Sequence, residues 1–445
     1  MIITCGKYNL HIKYSLLIWL NLIISSLGAL VIEAYQMSNL LYYFADGINI
    51  VLLCLIIIKS PRLKKIKHLG IFKIILAAYA FITVIGIVGN DVSMLLAVWG
   101  MRNIWRFIVY FIACILLLDK EDIDSFFEFL PKVFWINFIV ALYQYFVLGY
   151  KNDFLGGIFG IEQGCNAGLM IFLNLVIAYL FSQYLCGKRK IITTVPYILI
   201  YFVLTVMSET KGNYVFFIII FITCLISARK KPQVIILVIV GVASLYIGLN
   251  ILANVLPDSV TYILNYDSAV EYLNSDYYGF TTFTRNTQLE VTNTYFFRNN
   301  VWLYLFGYGT GACDMCSFFA SAFYVKYGYM NYRFLGVAMT TLQNGYLGLA
   351  VLFLFLAALI WTSVKIKTKT GDDYSVYKIT TISYICFIII YIFYASPYVD
   401  MGYWLWFICS IPIVVLKSKD AENDVSKSST DIMESKQKTL TQDQL

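Results

Sequence analysis

The sequence predicts an all-α polytopic membrane protein with about twelve transmembrane helices. Of its 445 residues, 60% are apolar, and the mean hydropathy is +0.74. This composition leaves little polar chain for a large soluble domain. Twelve apolar segments, most of them near the roughly 20 residues that a helix needs to cross a bilayer, lie at residues 14–32, 40–58, 71–89, 100–118, 131–149, 166–185, 191–207, 214–228, 233–253, 334–360, 378–395 and 399–416.

The basic residues between these segments predict that both termini are cytoplasmic. In that orientation 25 of the 33 Lys and Arg residues fall on the inner side, including clusters at 59–67, 188–190 and 229–231. Only eight fall outside, as the positive-inside rule predicts. The inner clusters would meet anionic lipid headgroups, so the net charge of +7 gives no reason to expect a nucleic-acid partner.

The apolar segments divide the chain into four parts. Residues 1–253 carry nine spans, 254–333 form an extracytoplasmic loop, 334–416 carry three more spans, and 417–445 are predicted to be a disordered cytoplasmic tail. The loop has 80 residues, and 21 of them are aromatic. Its rings are expected to form an interfacial belt or a surface that stacks on sugar rings. The apolar stretch 312–325 predicts an interfacial or re-entrant helix.

A glycine-rich turn, Gly307-Tyr308-Gly309-Thr310-Gly311, precedes this stretch. Glycines before a helix let backbone N–H groups turn toward an anion, and the helix start adds a favourable partial charge. The turn therefore indicates either an anion-binding element or a flexible connection into the next helix. Cys313 and Cys316 follow as a disulfide or as two unlinked thiols; with no His nearby, they do not indicate a zinc site.

The outer basic residues are candidates for binding an anion. Arg102 and Arg106 are four residues apart near the outer end of the fourth span, and therefore lie on one helix face. Charges at that depth are costly unless they face a polar cavity or a partner, and like charges repel unless an anion separates them. Snorkelling to the headgroups is the alternative. Because guanidinium groups pair with phosphate oxygens, we predict a diphosphate site that draws on Arg102, Arg106, Lys211, Arg285, Arg298, Arg333, Gly309 and Gly311.

One outer carboxylate is predicted to act as a general base toward a sugar hydroxyl. The candidates are Asp91, Asp153, Glu162, Glu209, Asp258, Asp267, Glu271, Asp276, Glu290, Asp314 and Asp400. Glu162 is the first choice because it lies in the segment 160–166, at the outer mouth of the sixth span. A solvated loop carboxylate is the alternative for this residue. Both histidines, His11 and His68, fall inside, so no outer histidine is available for catalysis.

Four short motifs follow one another along the chain. They are Gly157 to Gly168, Ser208 to Gly212, Leu305 to Gly311, and Gln343-Asn344-Gly345-Tyr346-Leu347-Gly348. In these motifs, in the twelve-span layout and in the long loop before the tenth span, nearly the whole chain resembles the bacterial O-antigen and capsular polysaccharide repeat-unit polymerases. These form the Wzy family of the O-antigen ligase-like superfamily.

The resemblance implies a glycosyltransferase at the outer face of the bacterial cytoplasmic (inner) membrane. Its substrate would be oligosaccharide units carried on undecaprenyl diphosphate, with the lipid diphosphate as leaving group. It implies that outer arginines bind the diphosphate, and the matching positions by topology are Arg102, Arg106, Arg285, Arg298 and Arg333. We assign Arg298 to catalysis together with Glu162, which is chosen for its position at the mouth of the sixth span. Lys211 stands where the family often has Arg, so a point charge replaces a fork there. The absence of an outer histidine favours a polymerase over a ligase.

The resemblance also bears on cofactors and partners. No nucleotide is required because the lipid-linked sugar is already activated, and neither a metal site nor another cofactor is predicted. The expected partners are membrane lipids, a flippase and a chain-length regulator. A lipid-linked oligosaccharide flippase is the chief alternative function, since it also needs about twelve spans and cations for a diphosphate. It has little use for a long outer loop, however. A secondary transporter and a purely structural protein are further alternatives.

Overall fold

The computed structural model describes residues 2–5, 8–11, 13–38, 40–228, 233–255, 265, 267–268, 270–271, 283–316, 318–368 and 372–442. A short antiparallel hairpin, β1 (Ile2–Cys5) and β2 (Tyr8–His11), precedes the helices. The helices are α1 (Ser15–Tyr35), α2 (Leu40–Ile58), α3 (Ser60–Lys65), α4 (Gly70–Gly89), α5 (Met94–Leu117), α6 (Lys120–Phe146), α7 (Asn166–Leu185), α8 (Ile191–Met207), α9 (Gly212–Ala228), α10 (Gln233–Val255), α11 (Gln288–Val291), α12 (Val301–Phe306), α13 (Ala322–Tyr327), α14 (Gly336–Val364), α15 (Asp373–Tyr394) and α16 (Pro397–Gln442).

The helices form the bundle that the hydropathy pattern predicts. Among the described residues, ten helices are long and apolar enough to cross a membrane, and α8 and α9 are shorter apolar helices. The protein is therefore an all-α polytopic membrane protein, with the small hairpin as an addition. Each of the twelve predicted spans coincides with one of these long or shorter helices. The number that cross the bilayer and the cytoplasmic position of the termini stay predictions.

Three helices form the centre of the bundle. In the most apolar 18-residue stretch of α7, 94% of the residues are buried inside the protein. The same fraction is 89% in α16, but only 22% in α2, α4 and α10. A helix that is apolar all round fits the interior of a bundle, whereas the partly exposed helices present their apolar side chains outward, as lipid contact requires. Helix α15, in which this fraction is 67%, packs against α7, α9, α14 and α16.

Several helix ends differ from the sequence prediction. Helix α5 begins at Met94 rather than at 100, since residues 94–99 are apolar enough to extend it. Arg106 consequently lies roughly 18 Å along the axis from the helix start. Helix α6 begins at Lys120 rather than at 131, because Asp119 and Asp122 form a capping box there. Helix α16 continues to Gln442 through the segment predicted to be disordered, which contains strong helix formers such as Lys, Glu and Gln.

Residues 283–335, here called the loop unit, form a second hydrophobic core together with the start of α14. Apart from the main core of the bundle, this second core buries Phe283, Phe296, Phe297, Met330 and Tyr332 against Ala338 and Leu342 of α14. Much of the aromatic content of this region is thus internal packing, which adds a third role to the two expected ones. The stretch 312–325 is helical only from Ala322, because the turn hydrogen bonds from Cys316 N to Phe319 O and from Ser321 N to Asp314 O precede it.

Part of the predicted loop is not described. Residues 256–264 and 272–282 lie outside the described residues, and with them the candidate carboxylates Asp258 and Asp276. The same holds for the basic cluster at 229–231 and for the side chain of Asp400. Cys313 and Cys316, for which the sequence left a disulfide open, are free thiols.

The glycine turn anchors the loop unit to the bundle. Helix α14 is broken at Gly345, whose φ is 63° and ψ −168°. The break frees two carbonyls, and the loop unit fills both: Tyr308 N–H donates to Leu342 O at 2.7 Å and Gly309 N–H donates to Gln343 O at 3.0 Å. A Cβ at Gly311 would lie 2.0 Å from Leu96 O of α5. Only glycine permits this approach. The turn therefore contacts the backbones of both α5 and α14.

We expect Gly311→Ala to destabilise the protein by about 2 kcal/mol or more, because the added methyl group collides with the backbone of α5. Gly164→Ala is the matched control: its φ of +90° is nearly the +91° of Gly311, but nothing lies within 4 Å of the new Cβ. Its expected cost, from backbone strain alone, is about 1 kcal/mol. The measurement is the thermal unfolding midpoint of the purified protein in detergent. Equal shifts in the two variants would refute the close approach.

Candidate functional site

A cavity of ≈ 810 Å³ lies at the end of the bundle where α1 ends and where α5 and α14 begin. This volume falls within the roughly 300–1,000 Å³ that is usual for ligand sites. Its wall near that end is polar and charged, and is formed by α1, α2, α5, the link before α7, and the loop unit. Deeper in the bundle its lining is apolar, with Ile75, Leu76, Ile104, Ile108, Val351, Leu352 and Phe355. The cavity is therefore amphipathic along its depth.

Two broken helices border the cavity. The break of α14 at Gly345 follows directly on Gln343 and Asn344, which both line the cavity. Helix α16 is broken at Met401, where φ is −150° and ψ 45°, next to the cavity residue Tyr403. Non-helical backbone at membrane depth is tolerated where it is buried in protein or lines a polar cavity. Both breaks therefore lie where the fold can accommodate them, beside a cavity with polar side chains.

Arg102 and Arg106 line this cavity and share one carboxylate, Asp46 of α2. Arg102 Nε donates to Asp46 Oδ2 at 3.0 Å, its Nη2 contacts the same oxygen, and Arg106 Nη1 lies 3.8 Å from Asp46 Oδ1. The anion expected between the two arginines is thus supplied, in part, by the protein itself. Two guanidinium groups face a single carboxylate, so one positive charge of this cluster is not balanced within it.

Aromatic rings and buried donors surround the arginine pair. The Arg102 guanidinium lies 4.3 Å from the ring centre of Trp99, and the Arg106 guanidinium lies 4.6 Å from that of Phe107. Stacking of this kind holds the planar groups in place. Arg106 Nε is buried and has no hydrogen-bond partner in the part of the chain that the structure describes. A buried donor of this kind is suited to an incoming acceptor oxygen.

The loop unit contributes Arg333 and Asp314 to the lining of the cavity. The guanidinium of Arg333 lies 5.4 Å from the ring centre of Tyr324. Asp314 is only 3% exposed, and its Oδ2 accepts a hydrogen bond from Asn103 Nδ2 at 3.4 Å. Burial raises the pKa of the Asp314 carboxyl, while the nearby charge of Arg333 lowers it by a smaller amount. The balance leaves a carboxyl that binds its proton more tightly than an exposed aspartate.

Glu33, near the end of α1, holds the loop that carries Glu162. Its Oε2 accepts hydrogen bonds from the backbone N–H groups of Ile161 and Glu162, the latter at 3.0 Å. Gly160 fits beside it because a Cβ there would lie 2.8 Å from the same oxygen. Glu33 and Glu162 both line the cavity, but the side chain of Glu162 is exposed at its mouth. Glu33 is thus a structural carboxylate that fixes the position of this mouth.

Other predicted cations lie away from the cavity lining. Lys211 Nζ lies 3.2 Å from Glu209 Oε1, in the turn between α8 and α9. Arg285 stacks at 4.4 Å over Tyr394. Arg298 is exposed, and its Nε donates to Tyr295 O at 2.8 Å. The structure therefore gathers Arg102, Arg106, Arg333 and Glu162 around one cavity, and separates Lys211, Arg285 and Arg298 from it.

The predicted glycine anion site has another role in the structure. Gly309 N–H donates to Gln343 O, and Gly311 approaches α5 so closely that Leu96 O occupies the space of a Cβ. Neither residue lines the cavity. The turn acts by packing, and it places the next residues of the loop unit, including Asp314, against α5.

Sequence reasoning missed Asp46, Glu33 and Asn103. Asp46 carried a usable signal: a carboxylate within an otherwise apolar span is by default a functional hypothesis, just as Arg106 is. Asn103 carried none, since an amide between two arginines on a helix does not show what it contacts. In the structure it connects α5 to the loop unit, because Arg102 Nη1 donates to its Oδ1 at 3.2 Å while its Nδ2 donates to Asp314.

The charges of the cavity permit an anion to bind. Three carboxylates and three guanidinium groups line it, namely those of Glu33, Glu162, Asp314, Arg102, Arg106 and Arg333. Asp46 adds a fourth carboxylate from behind the arginine pair. Glu33 is already compensated by two backbone N–H groups, and Glu162 projects toward solvent at the mouth. Three guanidinium groups therefore face only two further carboxylates, those of Asp46 and Asp314. The cavity therefore has an excess of guanidinium groups. Deeper in the bundle it continues into the part with the apolar lining, here called the apolar chamber.

Comparison with known proteins finds no matching family model and no characterised protein of significant sequence similarity. The function must therefore be argued from the cavity and from the resemblance of the motifs.

Proposed function

We propose that this protein is a glycosyltransferase that polymerises oligosaccharide repeat units linked to undecaprenyl diphosphate. In this proposal the product is a bacterial surface polysaccharide, such as an O-antigen, a capsule or an exopolysaccharide, and the reaction takes place at the outer face of the cytoplasmic membrane. The observation that carries the proposal is the amphipathic cavity with Arg102, Arg106 and Arg333 above an apolar chamber.

The shape of this cavity suits the proposed substrate. A lipid-linked oligosaccharide has an apolar chain, a diphosphate and a sugar in sequence, and the cavity has an apolar floor, a cationic middle and a polar mouth in the same order. Guanidinium groups form paired, charge-assisted hydrogen bonds to phosphate oxygens. Trp99, Tyr42 and Tyr43, which also line the cavity, offer aromatic faces near the mouth.

The proposed chemistry needs cations that act on the leaving group. A hydroxyl oxygen of the acceptor unit attacks the anomeric carbon of the donor unit, and the bond from that carbon to the diphosphate breaks. Negative charge then develops on the diphosphate, where fixed donors stabilise the transition state more than the ground state. Arg102 and Arg106 are suited to this task because Asp46 and the stacked rings of Trp99 and Phe107 orient them beforehand.

The loop unit favours a polymerase over a flippase. A flippase must open its cavity alternately to both sides, and a folded cap fixed at one end hinders this. Here the loop unit shares a second core with α14 and is anchored to α4, α5 and α14 through Gly307, Gly309 and Gly311. The proposal retains membrane lipids, a flippase and a chain-length regulator as partners of the reaction in the cell.

The experiment that tests the proposal uses the purified protein in detergent with undecaprenyl-diphosphate oligosaccharide from its host. The expected result is a ladder of products at repeat-unit intervals when they are separated by size. Absence of a ladder, with the protein folded and substrate binding detected, would contradict a polymerase and favour the flippase.

Within this assay, we expect Arg333→Ala to reduce the rate of ladder formation by about 100-fold, as for the loss of one transition-state donor. Arg298→Ala should retain most of the rate, because Arg298 is exposed and bonds to Tyr295 O outside the cavity. Lys326→Ala, which removes another exposed cation from the loop unit, is the control for net charge. Loss of activity in Arg298→Ala alone would favour the site predicted from sequence over the cavity.

A further inference from the structure

We infer that Asp314, rather than Glu162, is the general base that receives the proton of the acceptor hydroxyl. The inference rests on the proposed function, and it assigns one further residue to that reaction. Asp314 lines the cavity close to the arginine pair, to which Asn103 connects it, and it is 3% exposed. A base in this position is shielded from bulk water, as a glycosyl transfer that must avoid hydrolysis requires.

The backbone holds Asp314 firmly in place. Asp314 N–H donates to Gly311 O at 3.1 Å, and Asp314 O accepts from Ser321 N–H at 3.0 Å. Three residues earlier, Gly311 contacts α5 so closely that a Cβ on Gly100 would lie 2.4 Å from Gly311 Cα. A catalytic group must be held within a fraction of an ångström of its working position. The glycine turn holds Asp314 in this way, so it contributes to catalysis by positioning the base.

A polar network joins Asp314 to the proposed diphosphate site. Asp46 binds Arg102, Arg102 Nη1 donates to Asn103 Oδ1, and Asn103 Nδ2 donates to Asp314 Oδ2. Because the oxygen of the Asn103 amide faces a guanidinium, its nitrogen must face the carboxylate. The network therefore fixes the position of the base relative to the leaving-group cations. Asp314 also interacts with the side chain of Gln343. A carboxylate has about four acceptor sites on its two oxygens, so these contacts leave room for an acceptor hydroxyl.

The groups around Asp314 set its basicity. Arg333, Cys313 and Tyr332 are the titratable groups that interact with it, and the facing side chains of α5 and α14 are the amides Asn103 and Gln343. Burial raises the pKa of both the Cys313 thiol and the Tyr332 phenol, which keeps them neutral near pH 7. Burial also raises the pKa of Asp314. A carboxylate of higher pKa is a stronger base, and the optimum for catalysis lies near the working pH.

Glu162 differs from Asp314 in its exposure to solvent. Its side chain is exposed at the mouth of the cavity, and its loop is held through its backbone N–H by Glu33. The backbone of Glu162 is thus held in place, but its solvated carboxylate lacks the shielding from bulk water that Asp314 has.

The proposed step is a single displacement at the donor. The hydroxyl oxygen of the acceptor forms a bond to the anomeric carbon, while the bond between that carbon and the diphosphate oxygen breaks. The electron pair of the broken bond remains on undecaprenyl diphosphate, which the arginines stabilise. The hydroxyl proton passes to the Asp314 carboxylate and is later released to water, so the step needs no oxidant, metal or nucleotide.

The test compares Asp314→Asn with Glu162→Gln in the ladder assay. Both changes remove a charge and preserve shape, and the backbone hydrogen bonds of Asp314 do not involve its carboxylate. We expect Asp314→Asn to lose at least about 100-fold in rate, while undecaprenyl diphosphate still raises its unfolding temperature as in the wild type. Glu162→Gln should stay within about threefold of the wild type, since it retains the cavity and its arginines.

The outcomes separate the inference from the proposed function. A ladder from the wild type together with near-normal activity of Asp314→Asn would overturn the inference and leave the polymerase intact. Loss in Glu162→Gln alone would assign the base to Glu162 instead. Failure of the wild type to form a ladder, with substrate bound, would overturn both.

A second variant guards against misfolding of Asp314→Asn. Asn103→Ala keeps Asp314 but removes the hydrogen bond that stabilises its charged form, so the pKa of the carboxyl rises further. Activity requires the deprotonated base and is lost as the pH falls through this pKa. The acidic limb of the pH–rate profile should therefore move to higher pH in Asn103→Ala. A limb that does not move would overturn the assignment of Asp314.

Discussion

Replacement of Arg102 and Arg106 together by Ala should abolish polymer in cells while lipid-linked single units accumulate on the outer leaflet. The two guanidinium groups lie on one face of α5, and both face the cavity. Loss of one preorganised donor to a developing charge typically costs about 10²–10³-fold in rate. Loss of two should therefore bring polymerisation below detection. The measurement is the size distribution of the surface glycan, together with the leaflet in which single units remain.

Two further variants distinguish a lost chemical role from a lost structural one. Arg→Ala leaves Asp46 unpaired, and an uncompensated buried charge is itself strongly destabilising. The combination of Asp46→Asn with Arg102→Gln and Arg106→Gln removes all three charges at once and should fold, yet remain inactive. Lysine at both arginine positions keeps the charge without the fork, so we expect partial activity. Single units trapped on the inner leaflet in the double variant would contradict a polymerase and indicate a flippase.

The fold was predictable from sequence because lipid exposure imposes a simple rule. A helix in a bilayer needs an unbroken apolar stretch, and this stretch is visible without any knowledge of neighbours. The predicted spans 166–185 and 191–207 accordingly match α7 and α8 at both ends. The boundaries fail where charges are tolerated inside a helix, as at the start of α6, which includes Lys120, Glu121 and Asp122.

The site was only partly predictable, because its members come together through tertiary packing. Depth in the membrane identified Arg102 and Arg106 correctly as residues that need a polar environment. Nothing in the sequence distinguished Arg333, which reaches the cavity, from Arg298, which lies on the surface of the same loop unit. The difference arises from the second core and from the anchoring of the loop at Gly311. Both depend on contacts between residues far apart in the chain.

The identity of Asp46 as a counter-ion leads to the prediction that best separates a binding site from a structural ion pair. Asp46→Asn keeps the size of the side chain but leaves Arg102 and Arg106 facing each other without a carboxylate. The side chains of Arg102 and Arg106 are 25% and 26% exposed, so water solvates part of their charge. We therefore expect destabilisation by about 3 kcal/mol, at the lower end for a broken buried pair. Thermal unfolding in detergent measures this loss.

Undecaprenyl diphosphate should then restore more stability to Asp46→Asn than it adds to the wild type. In the wild type the diphosphate must compete with Asp46 for the two guanidinium groups, whereas in Asp46→Asn it is their only anion. A ligand that binds the folded state raises stability according to its concentration relative to its dissociation constant, so the tighter complex shows the larger shift of the unfolding temperature. Undecaprenol, which has the apolar chain without the diphosphate, is the matched control and should shift both proteins equally. If the lipid diphosphate also stabilises both proteins equally, the pair of arginines is a structural ion pair and the diphosphate binds elsewhere.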